Sequence, residues 1–81
     1  MREEEILMRI RELVDEEHAL RAERESGRID GADETDRLRH VESALDQCWD
    51  LLRRRRVQAA RGGDADDVEP RPADEVQRYQ Q

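Results

Sequence analysis

From Glu3 to about Ser26, apolar residues recur at helical spacing. Ile6, Ile10, Leu13, Glu17 and Leu20 are separated by 4, 3, 4 and 3 residues. That is the rhythm of a helical seam with one polar intruder, Glu17. Leu7 and Val14 widen the stripe on one side. Glu3, Glu4 and Glu5 fill the first turn, where the helix dipole favours anions. Gly27 is a natural left-handed stop. The run "SGRIDGADE" is the only strong turn signal before residue 60. Within it Asp30 suits an N-cap, with Asp33 three residues on. A second helix is predicted from about Ala32 to about Ala60. Its seam is Leu38, Val41, Leu45, Cys48 and Leu52, separated by 3, 4, 3 and 4 residues. Gly62 and Gly63 end it.

The two seams fit each other. A short turn centred on Ile29 makes the helices antiparallel. Residues equidistant from Ile29 then meet: Ile6 with Leu52, Ile10 with Cys48, Leu13 with Leu45, Glu17 with Val41, and Leu20 with Leu38. The turn centre follows from Gly27 and Gly31 alone, so this match is independent support for a hairpin. The predicted fold is all-α: an antiparallel two-helix hairpin over residues 1–61, with helices at about 3–26 and 32–60 and the turn at 27–31. Residues 62–81, "GGDADDVEPRPADEVQRYQQ", change character. They are acidic, with two Gly and two Pro, and read as a flexible linker and tail. Pro72 suits a first helical position, Asp74 and Glu75 a first turn, and Val76 and Tyr79 are spaced i, i+3. The end of the chain is thus either a frayed tail or one short docked helix over residues 73–80.

Composition sharpens this picture. The chain has 81 residues, 46% charged and 35% hydrophobic, with no Phe, one Tyr and one Trp. A chain this short buries too little surface to be comfortably stable alone. The net charge of −7 argues against general binding to nucleic acid or anionic membrane. The charge is uneven, however. Residues 30–50 carry seven acids and two Arg, whereas residues 51–61 carry five Arg and no acid. No apolar run approaches transmembrane length. The start, "MREEEILMRI", is too acidic and interrupted for a signal peptide. One Cys forms no internal disulfide, which fits a reducing compartment. A cytoplasmic location and no membrane partner are expected.

The stretch "ALDQCWDLLRRRR" concentrates the only Cys, the only Trp and the densest positive charge. Cys48 lies in the seam and reads as a small hydrophobe. A nucleophilic or redox role needs an adjacent base or cation, and the seam layer offers none. Trp49 and Leu51 fall just off the seam, on opposite flanks. Trp49 approaches Leu7 across the hairpin, and Val14 continues that flank. Two helices cover the seam but not both shoulders, so Leu7, Val14, Trp49 and Leu51 are expected to stay wet in a monomer. Burying one such side chain is worth roughly 1.5–3 kcal/mol, and an exposed patch of this kind marks a partner. The simplest partner is a second copy, giving a homodimeric four-helix bundle with coiled-coil-like packing. Arg53, Arg54, Arg55 and Arg56 close the second helix, where cations complement the dipole. At 100° steps they form no single groove-reading face. They read as a solvated helix end, as a contact for phosphate or an acidic partner, or as a dock for the chain's own acidic linker "DADDVE".

A metal site is a remote alternative. His18 and His40 are equidistant from Ile29, with Asp15 at i−3 to His18 and Asp36 at i−4 to His40. Carboxylate–His pairs of this kind build metal sites in bundles. The heptad positions of His18 and His40 nevertheless face outward, and zinc needs three or four converging ligands. Glu17 needs a partner or a wet edge, because a lone buried carboxylate is costly. Arg21 is the local candidate and Arg37 the cross-helix one; the layer reads as a register-setting device rather than a catalyst. The chain has no phosphate-binding Gly loop, no metal-binding Cys pair and no Ser or Cys nucleophile with a base at helical spacing. No enzyme activity and no cofactor are expected.

The stretch "ILMRIRELVDEEHALRA", followed by "ESALDQCWDLLRRRR", resembles the short actinobacterial proteins grouped as a domain of unknown function, number 2630. The ending "RPADEVQRYQQ" is similar to that family's tail. "LDQCWDLLR" is the most specific piece. The resemblance implies a small cytoplasmic bacterial protein and brings no residue roles with it. The reading from the residues is a non-enzymatic interaction or scaffolding protein with an unidentified protein partner. Its rival is an RNA- or ribosome-associated factor using Arg53 to Arg56; nucleic acid is the less favoured partner.

Overall fold

A computed structural model describes the backbone of residues 2–80 and the side chains through Val76. Helix α1 spans Glu3–Glu25 and α2 spans Gly31–Ala60. A 3₁₀ turn at Ala65–Asp67 follows, and then α3 at Ala73–Gln80. Among the described residues there is no strand. The chain measures 51 × 25 × 14 Å, with a radius of gyration of 15.1 Å. A compact chain of this length would have roughly 12 Å, so the molecule is an elongated slab one helix layer thick.

Local chemistry sets the ends of the helices. The Arg2 N–H donates to Glu5 Oε1 at 3.1 Å, which ties down the start of α1. Gly27 has φ +76°, and the Gly27 and Arg28 N–H groups donate back to Arg24 and Glu23. This is the Schellman arrangement, which satisfies carbonyls left open by the last turn. Asp30 Oδ1 accepts from the Asp33 N–H at 2.9 Å and caps α2. Gly62, at φ +84°, closes α2 in the same way, with Gly62 and Gly63 donating to Ala59 and Gln58.

The core runs along the seam between α1 and α2 in two overlapping clusters. At the open end of the hairpin lie Ile6, Ile10, Leu51 and Leu52. Toward the turn lie Leu13, Leu20, Ile29 and Val41. Leu45 and Cys48 pack against both. Ile29 does more than mark the turn: it is buried and plugs the turn end of the core. Glu17 sits at the edge of its layer, half-buried, with Arg21 Nε 3.8 Å away. Arg21 is therefore its partner, in preference to Arg37.

The end of the chain differs from a free acidic tail. Residues 64–76 lie against α2, Val68 packs on the open-end cluster, and Val76 is 1% exposed. These two apolar anchors, together with Arg71, give an otherwise acidic segment something to bury. Pro72 precedes the first helical position. Its carbonyl accepts from Glu75 and Val76, which makes it the cap of α3. The side chain of Tyr79 lies outside the described residues.

Candidate functional site

The two flanks of the seam are finished differently. On one, Leu51 is 4% exposed, because the returning tail covers it. This corrects the expectation that Leu51 stays wet. On the other, Leu7 and Trp49 are each 43% exposed. Val14, two turns further along the same side of α1 as Leu7, is half-buried against the open-end cluster rather than fully open. Met8, one residue round the helix from Leu7, is exposed as well. Two of the four expected shoulder residues therefore remain as an open apolar patch.

A charged clasp holds the tail in place. Asp50 is 4% exposed. Its Oδ2 accepts from Arg71 Nε at 3.1 Å and from Arg54 Nε at 3.0 Å, and its Oδ1 accepts from Arg71 Nη2. The paired, two-point contact with Arg71 is the strong geometry for a carboxylate. The Arg71 guanidinium, donating to the carboxylate, holds the Asp50 carboxyl below its ordinary range against the opposing effect of burial, and Arg54 adds to this. Two further contacts grip the backbone of the tail: Gln47 Nε2 donates to the Arg71 carbonyl at 3.1 Å and Arg54 Nη2 to the Glu69 carbonyl at 2.7 Å. Pro70 and Pro72 fix the backbone on either side of Arg71.

The Arg cluster is consequently no uniform solvated end. Arg54 belongs to the clasp. Arg55 is 7% exposed and donates to the Ala65 carbonyl at 3.1 Å and to Asp66 Oδ1 at 2.9 Å. Of the three readings of this cluster, these contacts match the dock for the chain's own linker. Arg56 donates to Glu3 Oε1 at 2.8 Å between exposed side chains, and Arg53 is exposed. A groove of about 570 Å³ between the end of α2 and the tail has Arg54, Arg61 and Arg71 in its wall. Asp67, Glu69 and Glu75 line it too, so its charges balance and it is no selective anion site.

Cys48 is free and half-buried. It lines a shallow groove of about 310 Å³ with Arg9, Leu51 and Pro70. Contrary to the expectation of a layer without a cation, the charge of Arg9 acts on this thiol. Burial is the larger effect, and it pushes the Cys48 thiol up, which leaves it a poor nucleophile at neutral pH. Asp15, His18, Asp36 and His40 are all exposed. Among the described residues there is no group of three His, Cys, Asp or Glu able to hold a metal, and no helix is long and apolar enough to cross a membrane.

Sequence reasoning passes over Asp50, Arg71 and the inward turn of Arg55. A signal existed for Arg55. Continuing the second seam by three residues beyond Leu52 reaches position 55, opposite Glu3. For Asp50 the signal is weaker: Arg54 at i+4, and a cation elsewhere held between two prolines.

Fold and site together define a small helical-hairpin protein with one flank strapped by its own tail and the other bare. The chain belongs to the family described as protein of unknown function (DUF2630), whose model matches residues 2–81. It is 51% identical over 75 residues to uncharacterized protein Rv0898c of Mycobacterium tuberculosis (strain ATCC 25618 / H37Rv), covering 93% of this chain and 86% of that protein. It is similar to the same degree, over the same shares, to uncharacterized protein Mb0922c of Mycobacterium bovis (strain ATCC BAA-935 / AF2122/97). No solved structure matches the chain.

Proposed function

We propose that the protein is a non-enzymatic interaction or scaffolding module of the cytoplasm that works by associating with a second copy of itself through the flank of Leu7, Val14 and Trp49. The observation that carries this reading is that Trp49 and Leu7 each remain 43% exposed, on the side of the hairpin away from the clasp that holds the tail among the described residues. A slab one layer thick has no second layer to bury that flank, and pairing two hairpins into a four-helix bundle supplies one. The rival use of Arg53 to Arg56 on RNA phosphate is weakened, because Arg54 and Arg55 are spent inside the molecule.

Sedimentation equilibrium tests the reading. The full chain, 9.6 kDa, is expected to sediment as a dimer, and Trp49→Ala as a monomer with unchanged helix content. A Trp49→Ala protein that associates like the wild type would overturn it.

A further inference from the structure

Trp49 stands where the charge of α2 changes sign. Glu42, Trp49 and Arg56 are seven residues apart and share one stripe of the helix, with a drift of only about 20° per step. All three are exposed. Asp46 at i−3 and Arg53 at i+4 border Trp49 on the same side. From N- to C-terminus the stripe therefore reads acid, acid, Trp, cation, cation. The tail is clasped to the opposite side of α2, through Gln47, Asp50, Leu51 and Arg54. Among the described residues Glu42 has no ion-pair partner. Arg56 uses its Nε on Glu3, which leaves its Nη donors for another carboxylate.

Such a pattern is complementary to itself when reversed. We propose that this stripe is an isologous interface for a second copy of the chain, with the two-fold axis beside Trp49 and the two α2 helices antiparallel. This rests on the self-association proposed above and assigns its pairing. A residue a given distance before Trp49 on one helix then faces the residue that distance after it on the other. Glu42 faces Arg56 of the second copy, and Asp46, three residues before Trp49, comes within one residue of the level of Arg53, four residues after it. With a rise of 1.5 Å per residue, the outer ion pairs lie about 10 Å to either side of the central Trp pair. Parallel alignment sets Glu42 against Glu42 and Arg56 against Arg56, and is disfavoured by like charge. A nucleic-acid backbone laid along the stripe meets Glu42 and Asp46, which repel phosphate. The second copy is the occupant whose charges match along the whole length.

Charge exchange between two variants tests this. Glu42→Arg and Arg56→Glu, each alone, set like charges against each other twice per dimer. Each is expected to raise the dimer dissociation constant on the order of tenfold or more, with helix content by circular dichroism unchanged. Mixed in equal amounts, the two variants are expected to recover wild-type affinity as a heterodimer, seen by native mass spectrometry. A chain carrying both substitutions is expected to self-associate like the wild type. A wild-type dimer whose affinity neither single variant changes, or a mixture no tighter than its parts, overturns the pairing while leaving self-association standing. A wild-type chain that is monomeric at every concentration overturns both.

Discussion

Leu51 and Trp49 lie two residues apart on one helix, and they end in opposite environments. Leu51 is 4% exposed and Trp49 43%. Both stand just off the seam, on its two shoulders, and α1 reaches neither far enough to cover it. The difference is made by residues 64–76, which return along one side of α2 and are held there by Asp50, Gln47, Arg54 and Arg55. A two-helix seam in so short a chain leaves both shoulders wet. The chain supplies the cover for one shoulder from its own end. The proposal that a second copy covers the other rests on that asymmetry.

Truncation on the two flanks separates them most sharply. Leu51→Ala empties a buried site beneath the tail and is expected to lower stability by about 3 kcal/mol in urea unfolding. An effect near zero would mean that the tail does not cover this flank in solution. The clasp comes next. Asp50→Asn removes the charge from a buried carboxylate with two guanidinium partners, and is expected to cost about 2 kcal/mol. The loss should be local: the amides of Val68 and Val76 exchange faster with deuterium, while those of Ile10 and Leu13 keep their protection.

The same carboxylate sets an acid limit. Its pKa is lowered in the folded state from an ordinary 3.8, so the folded state releases this proton more readily than the unfolded one. Its contribution is complete above the unfolded value and is lost as pH falls below about 4 through the lower folded value. Tail protection measured by hydrogen exchange should be flat from pH 7 to 5 and decline below 4, and Asp50→Asn should remove this part of the decline. The smallest effect belongs to the bare flank. Leu7→Ala, measured on dilute monomer, is expected to change stability by no more than about 0.5 kcal/mol. A loss as large as that of Leu51→Ala would show that the two flanks are alike after all.

The hairpin was legible because its rules are local and periodic. The spacings of Ile6 to Leu20 and Leu38 to Leu52, the glycine at position 27 and the Asp30 cap each act over a few residues, and together they fix the pairing across the turn. The tail was harder to read. Its contacts join Asp50 to Arg71 and Arg55 to Asp66, and no local period links such positions. By composition alone the tail is acidic and rich in Pro and Gly, which is also the signature of a linker. Val68, Val76 and Arg71 are too few to shift that average, yet they are the residues that dock. The four consecutive Arg left three readings open, and only the contacts of Arg55 with Ala65 and Asp66 single out the dock for the linker. Taken as a patch they point all round the helix, whereas taken one by one Arg55 continues the seam and Arg54 faces the clasp.

Trp49 is the only tryptophan in the chain, so its fluorescence reports on the bare flank alone. A dilution series of the wild type, read by emission wavelength and iodide quenching, tests the account most directly. The predicted result is a blue-shifted, quencher-protected emission at high concentration. On dilution it should give way to a red, freely quenched one at the same midpoint as dimer dissociation by sedimentation. A red, freely quenched emission at the highest concentration would contradict the account, because Trp49 would then face water in every state of the protein.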